Sequence, residues 1–261
     1  MTGYGATSDA GDFTMDAYRR FLDTATSLGY GFRSFDELPG PGRSIHLRHD
    51  IDNSIRAALP MAVAERDRDV RSTYFVMVRS NNYNPLSPSN ADAIRQILDL
   101  GHWIGLHHVV APESGRNNVP DEVRKDAEVL GDLTGRPVTA FSFHNPSVVG
   151  GSTVAVTGLV NAYSATFFTD IAYLSESNMR WRDGPPDQVL RLGGVDQLQI
   201  LVHPFSYVAD LRSDRDVLLR FLTETCRDLI AENSTGVRSL EDDPLTLVAL
   251  AHHLLEPGDP T

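Results

Sequence analysis

The stretch Leu47-Arg48-His49-Asp50-Ile51-Asp52 follows Arg43-Ser44-Ile45-His46 and runs into Asn53-Ser54, where a helical pattern begins. It reads as a buried strand that empties into a loop at the start of a helix, with four ionisable residues crowded at its mouth. Side chains alternate along a strand, so Asp50 and Asp52 project to one side while His49 and Ile51 face the other. Two carboxylates on one face repel, and at the end of a buried strand that repulsion needs a cation, a shared proton or a strong donor to offset it. Two uses are open. Either one aspartate caps the following helix and the other pairs with an arginine, or both serve a divalent metal and a nearby catalytic base.

Outward from this strand, the chain alternates strand and helix patterns. Upstream, Thr14 is a candidate N-cap for a helix whose apolar residues recur at Met15, Tyr18, Phe21, Leu22, Ala25 and Leu28, and Gly29 stops it. Pro39-Gly40-Pro41-Gly42 turns the chain into the central strand. Downstream, Pro60 either kinks the next helix or marks its first turn. Ser72 to Val78 reads as a strand buried on both faces, followed by a polar loop, Arg79 to Pro88, and a helix from Asn90 to Gly101. His102 to His108 is a further strand. A helix from about Pro120 to Gly135 and a strand from Pro137 to Phe143, ending in His144-Asn145-Pro146, come next. Strand signals recur at Ala165-Thr166-Phe167-Phe168, at Ile171 to Leu174 and at Gln197 to Val202, the last ending in His203-Pro204. A helix with Leu218, Phe221, Leu222 and Leu229 follows, then a short apolar helix from Pro244 to Leu255 with His252 and His253. This order implies an α/β fold of mostly parallel strands with helices outside, in a single domain over residues 1–261.

Composition narrows the function. With 261 residues and 41% hydrophobic content the chain can bury a full core. Its 23 basic against 35 acidic residues give a net charge of −12, which argues against nucleic acid or an anionic membrane as partner. Cys226 is the sole cysteine, so an internal disulfide and any multi-cysteine metal site are excluded. Met1 to Asp12 lacks a basic-then-apolar leader pattern, and a cytoplasmic location is the expectation. Oligomeric state is not legible.

Of nine histidines, several stand where a strand ends: His49, His107 and His108, His144, and His203. In a parallel barrel all such ends open on one face. An aspartate with two histidines is a common set for zinc and similar divalent ions, leaving positions for water and substrate.

The segments His49-Asp50-Ile51-Asp52, Gly101 to His107, Phe143-His144-Asn145-Pro146 and Leu201-Val202-His203-Pro204 resemble, in order and spacing, the motifs of the polysaccharide deacetylase superfamily, carbohydrate esterase family 4. The resemblance covers about residues 13–230 and is nearest to a divergent branch with a His-Asp-hydrophobe-Asp first motif. It implies a distorted (β/α) barrel and a metal-dependent N-deacetylase acting on a small-molecule or oligosaccharide substrate, with zinc as the expected ion. Residue by residue, it implies Asp50 as base, Asp52 and His107 as metal ligands, and His203 as the acid that protonates the leaving amine. The second metal histidine of the family would fall four residues after His107, where this chain has Ala111. His144, in a position where the family more often has an arginine that orients the base, is the replacement ligand of choice, and His108 is the fallback. Asp50 and Asp52 can also exchange roles, because a residue separates acids that are usually adjacent.

Tyr83, Trp103 and Trp181 are candidates to stack on a sugar ring. Two other readings stand beside deacetylation: hydrolysis of another carbon–nitrogen bond such as a cyclic amide, and a barrel that binds carbohydrate without catalysis. A His-Asp phosphohydrolase fits poorly, since that dyad belongs on helices and here ends a strand.

Overall fold

A computed structural model describes residues 13–111, 114–115, 117–148, 150–207 and 213–234. The apolar segment from Pro244 to Leu255, with His252 and His253, lies outside the described residues, as does Met1 to Asp12. The chain forms two compact units, Met1–Arg212 and Ser213–Thr261. In the second, Ser213 accepts from the Asp216 amide and opens a 21-residue helix, Asp214–Ser234.

The first unit is built on an eight-stranded sheet in which every pairing is parallel. Its strands are β1 (Gly31–Phe32), β2 (Ser44–Ile51), β3 (Thr73–Val76), β4 (Trp103–His108), β5 (Ala140–Phe143), β6 (Val160–Asn161), β7 (Ala172–Ser175) and β8 (Gln197–Val202). The helices are α1 (Met15–Ser27), α2 (Leu59–Arg66), α3 (Pro88–Asp99), α4 (Val119–Thr134), the single turn α5 (Ala165–Phe168) and α6 (Pro186–Leu192). The spatial order is β6-β5-β4-β3-β2-β8-β7, with β1 beside the start of β2. Among the described residues β6 and β7 do not pair, so this is a distorted, open barrel and not a closed eightfold one.

Local chemistry starts and stops the helices where the sequence indicates. Thr14 accepts from the Ala17 amide, and Gly29, at φ +79°, ends α1. Pro60 and Pro120 sit in the first turns of α2 and α4, where a missing N–H costs nothing. The expected strand at Ala165 to Phe168 is instead one turn of helix. Ser164 accepts from both the Phe167 and Phe168 amides, which buries Phe167 and leaves Phe168 partly exposed. An apolar run this short carries no periodicity to separate the two forms.

Strand alternation sorts the sheet into two faces. Ile45, Leu47, Leu198, Ile200 and Val202 point outward against α1 and α6. Tyr74, Val76, Ile104, Leu106, Phe141 and Phe143 point outward against α2, α3 and α4. The even positions of β2 turn inward, where Phe35, Phe75, Ala140, Ala162 and Phe167 fill the concave side. Gly105 is required there, because a Cβ would come within 2.6 Å of the Phe75 ring.

One polar cluster interrupts the outer layer. Glu65, on α2, is fully buried and accepts from Tyr18, from His49 Nε2 at 2.6 Å, from Ser72 at 2.6 Å and from Tyr74 at 2.8 Å. Burial alone would raise its pKa; the charge and hydrogen bond of His49 outweigh that and hold it below the usual carboxylate range. Glu65→Ala strands these donors, and we expect urea unfolding to report a loss of about 3–5 kcal/mol.

His46, also fully buried, donates from Nδ1 to Ser34 O at 3.0 Å, with its ring against Phe35 and Phe167. Burial pushes its pKa down to about 4. Folded His46 therefore stays neutral while the unfolded chain takes up a proton below about pH 6.5. Its share of stability is complete above that pH and is lost as pH falls towards 4, by about 3 kcal/mol. Denaturant titrations at pH 7 and pH 4.5 are expected to show a smaller drop for His46→Leu than for the parent chain; equal drops would refute the assignment.

Candidate active site

The parallel register brings the carboxyl-terminal ends of β2, β4, β5 and β8 to one rim, and alternation decides which side chains enter it. Arg48 and Asp50 both face inward from β2. Arg48 donates from Nε to Asp50 Oδ1 at 2.8 Å and from Nη2 to Oδ2 at 2.7 Å, and neither side chain is more than 3% exposed. Burial opposes charge on both. The guanidinium nonetheless holds the Asp50 carboxyl below its ordinary pKa, with His107 and His203 adding to the effect.

Asp52 lies just beyond the strand and is pinned by its neighbours. Tyr83 donates to Ile51 O at 2.7 Å and accepts from the Met77 amide at 2.9 Å, while Asn82 Nδ2 donates to Asp52 O at 3.0 Å. Asp52 Oδ1 is 3.1 Å from His107 Nε2 and 3.2 Å from His144 Nδ1. Burial would raise the Asp52 pKa, but hydrogen bonds from His107 and His144 and the charges of His107 and His203 drive it well below the carboxylate range. His144 is raised in turn, chiefly by its hydrogen bond to Asp52.

Ligand atoms of Asp52, His107 and His144 lie within 4.8 Å of one another. The donor set fits a divalent ion. His107 Nδ1 lies 2.7 Å from Ser142 Oγ, a hydroxyl able to accept from Nδ1–H when Nε2 gives up its proton to hold an ion. Asp50 Oδ2 stands 3.6 Å from the same Nε2, beside the cluster and committed to Arg48.

His203 completes the rim from the end of β8. Its Nδ1 and its backbone N–H both contact Glu176 Oε1, at 2.9 and 2.8 Å, and its Nε2 is 3.7 Å from Asp52 Oδ2. Burial works against protonation, yet the Glu176 hydrogen bond and charge, with Asp52 and Asp50, push the imidazole up to about 9. Glu176 is presented by a two-residue turn, Asn178-Met179, in which both residues have positive φ, as hairpins of this length require.

Asp50, Asp52, His107, His144 and His203 therefore meet at one point. The other candidates do not join them. His108 has the parity of Ile104 and Leu106, so it turns outward and contacts Asp126 at 3.0 Å. His49 turns outward to Glu65. Tyr83 spends its hydroxyl on backbone groups and holds the acid loop. Trp103 opens β4 four residues before His107, roughly 13 Å along the strand, and stacks under Arg71. Trp181 is buried in the outer layer beside Phe13. Conversely, Arg48, Ser142, Tyr163 and Glu176 belong to the site, and the last three are not evident from sequence. Arg48 had a signal, since it stands two residues before Asp50 on the same strand face. Glu176 had none, in a stretch whose strands are weakly marked.

No protein-family model matches the chain, and no curated protein matches it. Among solved structures it is similar to the Streptococcus pyogenes deacetylase PplD in complex with acetate, at 15% identity over 79% of this chain and 85% of that one, TM-score 0.42. It is similar to a family 4 carbohydrate esterase from Streptomyces lividans in complex with acetate, at 16% identity over 72% and 91%, TM-score 0.42. It is also similar to the peptidoglycan deacetylase PdaC from Bacillus subtilis, at 12% identity over 69% and 84%, TM-score 0.43.

Metal analysis of purified protein supplied with zinc is expected to find about one ion per chain. Asp52→Ala, His107→Ala and His144→Ala should each lose it, Ser142→Ala should weaken it about 10- to 100-fold, and His108→Ala should retain it. Loss in His108→Ala with retention in His144→Ala would reverse the ligand assignment.

Proposed function

We propose that this chain is a metal-dependent hydrolase that removes the acetyl group from an acetamido group on an amino sugar, sugar nucleotide or sugar-bearing natural product. The observation that carries this reading is the convergence of Asp50, oriented by Arg48, and His203, oriented by Glu176, on the Asp52–His107–His144 cluster.

Asp52, His107 and His144 would hold a divalent ion, zinc in our reading, which would supply Lewis acidity towards the amide oxygen and the attacking water. The chain's own residues do the rest. Asp50 enters ionised and held on both oxygens by Arg48, so its remaining lone pairs are oriented to take a proton from the attacking water. His203, oriented through Nδ1 by Glu176, gives its proton to the departing nitrogen. An amine leaves poorly unless protonated, which is why an acid is needed opposite the base. The motif resemblance around Asp50, His107 and His203 supports the same roles.

The test is acetate release from a panel that includes chitooligosaccharides and UDP-N-acetylglucosamine. We expect at least one substrate to be turned over, and Asp50→Asn to lose about 100-fold or more in kcat with its metal retained. His203→Ala should slow amide cleavage more than cleavage of 4-nitrophenyl acetate, whose leaving group needs no proton. No release from any N-acetyl sugar would overturn the substrate assignment, and full activity in Asp50→Asn would remove it as base.

A further inference from the structure

Tyr163 follows β6, is 7% exposed, and is held from below. Its amide donates to Asn161 Oδ1 at 2.8 Å, and the Asn161 side-chain NH2 in turn donates to Gly151 O and Val154 O. Its ring lies 4.4 Å from Arg48 Cζ, and its hydroxyl oxygen accepts from Arg48 Nη2 at 3.0 Å. An oxygen that accepts from a guanidinium must point its own proton elsewhere. Among the described residues no acceptor meets that proton within hydrogen-bond distance, and a buried hydroxyl with an unspent proton is costly unless a ligand or water takes it.

The placement of this donor relates it to the base. Arg48 Nη2 also donates to Asp50 Oδ2 at 2.7 Å, so two contacts on one nitrogen keep the phenol oxygen within about 6 Å of that carboxylate oxygen. A carbonyl attacked by a water that Asp50 deprotonates has its oxygen about 4 Å from the carboxylate, within reach of a donor so placed. The contact with a cation polarises the phenol and strengthens it as a donor.

We propose that Tyr163 is a catalytic residue whose phenol donates a hydrogen bond to the acyl carbonyl oxygen as negative charge develops there. The inference rests on the hydrolase reading. Water oxygen bonds to the carbonyl carbon, Asp50 takes the water's proton, and the electron pair of the C=O bond moves onto the oxygen that Tyr163 faces. That pair then returns, the carbon–nitrogen bond breaks, and His203 protonates the nitrogen, giving a carboxylic acid, which ionises to solvent, and an amine; the proton on Asp50 is lost and His203 regains one from solvent before the next turnover. Tyr163 keeps its own proton throughout.

The experiment compares zinc-loaded parent protein with Tyr163→Phe, which keeps the ring over Arg48 and deletes only the hydroxyl. Hydrolysis of 4-nitrophenyl acetate and of an N-acetyl sugar is measured, together with binding of acetate by calorimetry. We expect kcat to fall on the order of 10- to 100-fold on ester and amide alike, with KM and zinc content unchanged and acetate bound several-fold more weakly, while the melting temperature drops by a few degrees because Arg48 loses one acceptor. Unchanged kcat, a loss confined to KM, or a shifted acid limb in the pH profile, the mark of a disturbed Asp50, would overturn the donor role. If the parent cleaves the ester and no N-acetyl sugar, the substrate assignment fails while the ester rates still decide the role of Tyr163. If neither is cleaved, acetate binding decides it: equal binding by the two proteins refutes the donor.

Discussion

A guanidinium with no exposed surface stands on the concave side of the sheet, and the site depends on how Arg48 is satisfied. Removing such a cation from water costs several kcal/mol, which only close, well-aligned partners offset. Asp50 supplies a two-point contact, Gln199 Oε1 a third at 3.4 Å and the Tyr163 hydroxyl a fourth, with the faces of Phe75 and Tyr163 against the ion. These partners come from β2, from β8 and from the chain after β6. Gln199 reaches further, donating to Ala162 O and Phe167 O, so side chains bridge the gap that the unpaired edges of β6 and β7 leave. The charge that orients the proposed base therefore also ties the two sides of the open barrel together.

The outer face of β2 answers with a second buried charge. His49, the neighbour of both Arg48 and Asp50, is held by Glu65, and Glu65 by two tyrosines and a serine. Tyr83 and Asn82 then fasten the backbone where the strand ends. Asp50 and Asp52 are thus fixed from both faces and from above before any ligand arrives. Groups aimed at reacting atoms in this way need little reorganisation during reaction, and that is where most catalytic advantage of such sites originates.

Much of the fold was legible because its signals are local. Thr14, Gly29, Pro60 and Pro120 act within a turn of themselves, and the apolar runs of β3, β4 and β8 are too long and too β-branched or aromatic to mislead. The run Ala165 to Phe168 misled because four residues carry no period. The metal-capable trio was legible as strand-end chemistry. The aromatic candidates were not, because Trp103 and Trp181 are apolar bodies with a polar handle, and sequence does not say whether such a ring faces solvent, a sugar or a neighbouring arginine. Tyr83 proved to be a brace for the acid loop, a role visible only once Ile51 O and the Met77 amide lie on either side of its hydroxyl.

His107 and His108 mark the boundary between what the chain states and what folding adds. By itself the sequence determined that strands alternate with helices, that acids and histidines cluster at strand ends, and that Asp50 and Asp52 share a face, since all of this follows from periodicity within one element. Which of two adjacent histidines enters the site was decided by tertiary structure. Both faces of β4 are buried, so hydropathy does not distinguish inside from outside, and only packing against α4 sends His108 outward to Asp126. The same holds for Glu176 and Tyr163, which reach the site from weakly marked segments because the parallel register of β5–β6 and β7–β8 places them there.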